Sequence, residues 1–325
     1  MSGFFDKLPE ISSKKQAPAE KTVFDPYAFL NLRPEPQTAE DRFKEAKELL
    51  SAESNTAIQY LKAAAEEEHA ASLDLLGMLY ATGQLLEKDP KRAADLFRKA
   101  AVLGETSAKF HLAMALREGF GVRRNLEESF AWLRVAAKEK SPEAMFALAE
   151  AYDQGLGVEK NAEIAETFFS QAALKGERRA IMRMVRLTSE GTHLNPKLCL
   201  HWLFKGAAVK IPVCLLAVGR YWLETTPKNP SRGLGFLEEG ALTEDPDCLL
   251  ELGFFWSRFA PTDIVAAIVY CHLASTFGSW KAAQKLSELR TLAQREQLME
   301  AAGIAAFPSS QLVVQETIKR RNHGA

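Results

Sequence analysis

An all-α fold, a solenoid of stacked helix pairs, is predicted for this chain by three observations. Asp89, Asn125, Asn161, Asn195, Asn229 and Asp263 stand 36, 36, 34, 34 and 34 residues apart, and each opens a similar segment, from DPKRAADLFRKAA at the first to DIVAAIVYCHLAS at the last. Four positions after each comes a small residue (Ala93, Ser129, Ala165, Cys199, Gly233, Ala267), and seven after it Leu96, Trp132, Phe168, Trp202, Phe236 or Tyr270. Ahead of these segments, Gly83, Gly119, Gly155 and Gly191 recur every 36 residues. A period of this size marks a repeat array in which each unit packs mainly on its neighbours.

Residues 1–36 are rich in Pro, Lys, Ser and Glu without helical period, which predicts a disordered or loosely docked arm. The arm nevertheless carries Phe4, Phe5, Phe24, Tyr27 and Phe29, either as a cap on the first helix or as a linear motif for a partner. The helical pattern starts at Ala39, and a half-unit is visible from Thr56 to Ala65. In each full unit a first helix, A, is predicted over Ala71–Thr82, Ser107–Glu118, Glu143–Gln154 and Arg178–Glu190. Each ends at a glycine able to take the left-handed conformation. The Asp or Asn then caps helix B by accepting a hydrogen bond from its first turn, and Pro90, Pro196 and Pro230 follow where a missing N–H costs nothing. The small residue permits close helix approach, and the aromatic three positions on fills the gap above it. Repeats are predicted at about 37–69, 70–104, 105–140, 141–176, 177–210, 211–244 and 245–278, with closing helices over 279–302 and a basic tail over 303–325. The drop in stride from 36 to 34 predicts a change of curvature near Asn195, hence two differently shaped halves.

The chain resembles the Sel-1-like repeat proteins, relatives of the tetratricopeptide repeat. Leu76-Gly77-Met78-Leu79-Tyr80 with Gly83, Leu148-Ala149-Glu150-Ala151-Tyr152 with Gly155-Leu156-Gly157-Val158, and the Asp/Asn segments carry the resemblance, over roughly 57–302. Thr225–Pro230 lacks the glycine signature and Ser257–Thr262 is short, so the later loops depart from the pattern. The resemblance implies a right-handed α/α superhelix serving as a non-enzymatic adaptor or scaffold, and a bacterial source. It also implies two alternatives: an inhibitor or immunity protein that blocks a toxin, or a hydrolase like some disulfide-rich secreted relatives.

Composition narrows the partner. A formal net charge of −1 gives no support for nucleic acid or an anionic membrane, which leaves another protein or a peptide. The start of the chain lacks the pattern of a secretory signal, and the apolar run ending at Arg220 is too short to span a bilayer, so a cytoplasmic location without membrane insertion is expected. Cys199, Cys214, Cys248 and Cys271 form no CxxC pair and read as small core residues, Cys214 and Cys248 at equivalent positions of adjacent repeats. His69, His111, His193, His201, His272 and His323 form no metal motif, and no nucleophile elbow, phosphate loop or dinucleotide fingerprint occurs. No cofactor, metal or catalytic residue is therefore assigned.

If the A helices line a concave face, the residue three before Gly77, Ala113, Ala149, Val185, Gly219 and Gly253 points into it, giving Asp74 and then Phe110, Phe146, Met182, Leu216 and Leu250. Neighbouring positions add Met114, Arg117, Glu150, Asp153, Arg186, Arg220 and Phe254. Either the apolar members close gaps between adjacent A helices, or the whole set forms a groove for an amphipathic partner segment.

Overall fold

The computed structural model describes residues 38–50, 55–189, 195–224, 229–258 and 263–323, so the aromatic arm, Gly191 and His193 lie outside the described residues. The chain divides into two compact units, Met1–Ala172 and Ala173–Ala325. In the first, helices α1 (Ala39–Leu50) and α2 (Asn55–Glu66) precede three full pairs: α3 (Ala70–Thr82) with α4 (Pro90–Val102), α5 (Thr106–Glu118) with α6 (Leu126–Lys138), and α7 (Pro142–Gln154) with α8 (Ala162–Leu174), whose last residues pass the boundary. In the second, α9 (Arg178–Ser189) pairs with α10 (Pro196–Ala208), α11 (Pro212–Glu224) with α12 (Pro230–Ala241), and α13 (Pro246–Arg258) with α14 (Ile264–Thr276). Helices α15 (Trp280–Leu292), α16 (Arg295–Ala305) and α17 (Ser310–His323) close the chain. No strand occurs among the described residues. Each unit is a helix-pair stack of the predicted all-α solenoid class.

The six predicted caps all form. Side chains of Asp89, Asn125, Asn161, Asn195, Asn229 and Asp263 accept from the amides of Arg92, Glu128, Ile164, Leu198, Arg232 and Ala266 at 3.0–3.2 Å, each an interaction of about 1 kcal/mol. At the other end of the A helices, Gly83, Gly119 and Gly155 sit at φ 78°, 75° and 75°, left-handed as expected. The change of stride has a local cause. The cap residue's own amide donates to a carbonyl nine residues back in the 36-residue repeats (Asp89 to Tyr80, Asn125 to Leu116, Asn161 to Tyr152) and seven back in the 34-residue ones (Asn195 to Thr188, Asn229 to Trp222). The same two groups are joined in both, and the connection between A and B is two residues shorter.

Two expectations change. Four positions after the cap the small residue is buried in most repeats, but the large residue that fills the core stands eight positions after it: Phe97, Leu133, Phe169 and Leu237 are buried, whereas Leu96, Trp132, Phe168 and Phe236 are half-buried. Positions four, eight and eleven share one face at 100° per residue; position seven lies at its edge. Trp202 and Tyr270 remain buried at position seven. The second change is at the C-terminus, where α17 occupies most of the stretch expected to be a tail. Its Val313, Val314 and Thr317 are buried, the two valines in the core cluster formed around α13 and α14. Arg320 pairs with Glu300 and, at 2.8 Å, with Asp263, the cap of α14.

Candidate protein-binding site

The A helices of the two units present different faces. In the first unit the ring of Phe110 is 6% exposed and that of Phe146 7%, with Met114 fully enclosed. Phe146 packs against Phe169 with ring centroids 5.4 Å apart, and Phe110 lies 5.7 Å from His111. These three residues close the space between helices. The position three before the reference residue falls on the same helix face as that residue, so it turns toward the neighbouring helix rather than to solvent. What remains at the surface is polar: Arg117 Nη1 donates to Glu150 Oε2 at 3.1 Å, tying α5 to α7, and Asp153 is half-buried nearby in sequence.

The second unit is more open. Met182 and Leu216 are half-buried, Met182 Sδ lying 3.8 Å from Cys214 Sγ; Arg186 is exposed, and Leu250 is buried with the core of α13 and α14. Arg220 on α11 donates through Nε and Nη2 to Glu251 Oε2 on α13 at 3.0 and 2.6 Å. That hydrogen bond holds the guanidinium above its ordinary pKa. Glu251 in turn lines a cleft of about 1030 Å³ between the C-terminal ends of α11 and α13 and the side of α15. Its walls include Leu223, Glu224, Phe254, Phe255, Arg258 and Lys285, and Phe254 keeps 37% of its surface exposed. Clefts of this size with apolar walls and a few convergent charges are where ligand segments seat. Of the expected groove positions, Phe254 lines the cleft and Arg220 reaches it through Glu251. Phe255, Glu251 and Lys285 are additions that the helical period alone does not single out.

The Sel1 repeat family model matches residues 52–69, 70–105, 106–141 and 142–177. Residues 52–177 thus carry four Sel1 repeats. A Sel1 repeat protein from Oxalobacter formigenes shares the fold, with a TM-score of 0.57 at 21% identity over 77% of this chain and all of that one. Two weaker likenesses are to a protective antigen of uropathogenic Escherichia coli with the same type of fold (TM-score 0.46, 17% identity, 86% of this chain and 68% of that) and to an immunity protein of Pseudomonas aeruginosa (TM-score 0.45, 18% identity, 66% and 85%). No curated protein matches.

Sel1 repeats mediate protein–protein interaction and are typically non-enzymatic scaffolds. Two constellations in this chain nevertheless combine carboxylate, imidazole and hydroxyl. His69 bridges Glu40 at 3.1 Å and Ser72 Oγ at 2.8 Å, yet Ser72 is fully buried and its amide also donates to His69 Nδ1. The imidazole is the cap of α3. Asp74, buried, accepts from Ser107 Oγ at 2.6 Å and pairs with His111 Nδ1 at 2.8 Å. Both partners sit on the carboxylate, so the hydroxyl has no imidazole base beside it, and the arrangement ties α3 to α5. His201 is exposed against Trp202, and His272 is half-buried. Burial pushes the Cys214 thiol up to about 11, that of Cys271 up to about 12 and that of Cys248 higher still, so each stays protonated near neutral pH. All four cysteines are free. Among the described residues no cluster of three or more His, Cys, Asp or Glu could hold a metal, and no helix is long and apolar enough to cross a membrane.

Proposed function

We propose that this protein is a non-enzymatic adaptor, and that it holds a segment of a partner protein in the cleft of α11, α13 and α15. The observation that carries this reading is the exposed ring of Phe254 beside the Arg220–Glu251 pair and Lys285, an apolar anchor point flanked by both charges. Buried aromatic anchors supply most of the energy of such contacts, while rim charges set orientation. Arg186, Met182 and Leu216 extend the surface along the A helices of the same unit.

The test is quantitative capture by full-length protein carrying Phe254→Glu. Partner recovery is expected to fall more than about tenfold, the loss of one anchor of about 1.4 kcal/mol or more, while helicity and melting stay at wild-type values. Undiminished capture would place the site elsewhere. A single partner held at nanomolar strength, with rescue of cells expressing a toxin, would identify an inhibitor in place of an adaptor.

A further inference from the structure

We propose that the chain's own aromatic segment Phe24-Asp25-Pro26-Tyr27-Ala28-Phe29-Leu30 docks on the first unit, in a trough between the B-type helices α2 and α4. The trough measures about 860 Å³, with Leu73 and Leu76 of α3 on its floor and Leu96 on its wall. Its far end is apolar where solvent contact favours charge: Val102 is 72% and Leu103 45% exposed. One repeat later the same two positions are Lys138 and Glu139. Two repeats on they are Leu174 and Lys175, so one exposed apolar residue recurs while the adjacent pair of Val102 and Leu103 belongs to this trough, and apolar surface exposed this way marks a contact site.

The path of the chain names the occupant. Thr38 caps α1, its Oγ1 accepting from the amide of Asp41 at 3.1 Å. One turn on, Glu40 reaches His69 at 3.1 Å and Arg42 pairs with Glu67. Glu66 and Glu68, on either side of Glu67, line the trough. The 37 residues that precede Thr38 thus join the first unit at the trough's rim. Phe24 to Leu30 lies 14 to 8 residues upstream of Thr38, a reach of up to about 45 Å when extended. Three aromatic rings and a leucine in seven residues match the apolar floor and end. Tethering places them there at about millimolar effective concentration, so even a weak contact is populated. The trough lies on helices remote in sequence from α11, α13 and α15, and this proposal does not depend on the adaptor reading of that cleft.

Thiol labelling of the full chain tests it. Val102→Cys is introduced with Cys199→Ala, a residue other repeats carry at that position; Cys214, Cys248 and Cys271 are buried. The same pair is then combined with Phe24→Ser, Tyr27→Ser and Phe29→Ser. Labelling at position 102 is expected to be about tenfold slower with the aromatic segment than with the serines, as when nine-tenths of molecules are docked. Leu174→Cys, two repeats on from Val102 and exposed, should label equally in both backgrounds. Equal rates at position 102, or equal slowing at position 174, overturn the proposal. So does slowing that grows with protein concentration, which would assign the trough to the segment of a second copy.

Discussion

A β-carbon added at Gly240 would stand 2.4 Å from Cys248 Sγ, and one at Gly206 would stand 2.3 Å from Cys214 Sγ. In the first unit the equivalent positions are Ala100 with Ala108 and Ala136 with Ala144, all buried. The two positions across each turn from B to A share one volume, filled as Ala with Ala or as Gly with Cys. Gly240→Ala is therefore expected to cost about 1–3 kcal/mol by overpacking, and Cys248→Ala about 1 kcal/mol by the void it leaves. Combined, they should restore wild-type stability or exceed it, since alanine also removes the roughly 1 kcal/mol helix penalty of glycine. A double-mutant cycle in urea reads this directly, and additive losses would show that the sites share no volume. The equivalence of Cys214 and Cys248 is legible in the sequence. Their glycine partners are not, because a period shows which residues are alike but not which ones face each other.

Between elements, two backbone devices join helix pairs to their neighbours. Gly121 and Gly157, at φ 68° and 72°, lie so close to the start of the preceding B helix that a β-carbon would fall 1.9 Å from the Pro90 carbonyl oxygen and 2.1 Å from that of Leu126. Gly121→Ala is expected to cost more than about 3 kcal/mol, because backbone on both sides prevents relief; a loss below 1 kcal/mol in denaturant titration would refute that close approach. The second device is the turn from B to A, where Glu68, Gly104, Lys140, Gly176, Lys210, Glu244 and Gly278 all have positive φ. Only three of the seven are glycine, which hides the position from a search for glycines although its spacing follows the caps. Nothing lies within 4 Å of a β-carbon built at Gly104, so backbone conformation alone favours glycine there. Lys140→Gly should then stabilise by about 0.5–1 kcal/mol, the left-handed strain removed exceeding the entropy added to the unfolded chain; a lower denaturation midpoint would count against it. Helix α17 escaped the sequence reading because its apolar residues are few and adjacent, and because Lys319 and Arg320 suggest solvent when Arg320 in fact pairs with Asp263 and Glu300.

At the level of the whole molecule, helix order and caps follow from a single strand of sequence because each is set within one unit. Whether a given stripe is core or surface depends on the neighbouring helix, and there the repeat pattern is silent. Phe110 and Phe254 illustrate the difference: both are aromatic, both lie on A helices near the reference position, and they are 6% and 37% exposed. Phe110→Glu would remove a packed ring and bury a carboxylate between α5 and its neighbours. The expected loss is more than about 4 kcal/mol, enough to melt the first unit, so any loss of partner capture would track loss of helicity. Phe254→Glu should change stability by less than about 1 kcal/mol, because its ring edge already meets water. Thermal melts of both variants, run beside capture assays, separate the two roles. If Phe110→Glu kept wild-type stability and lost only the partner, the apolar stripe of the first unit would be a groove after all, and the binding surface would belong to α5 and α7.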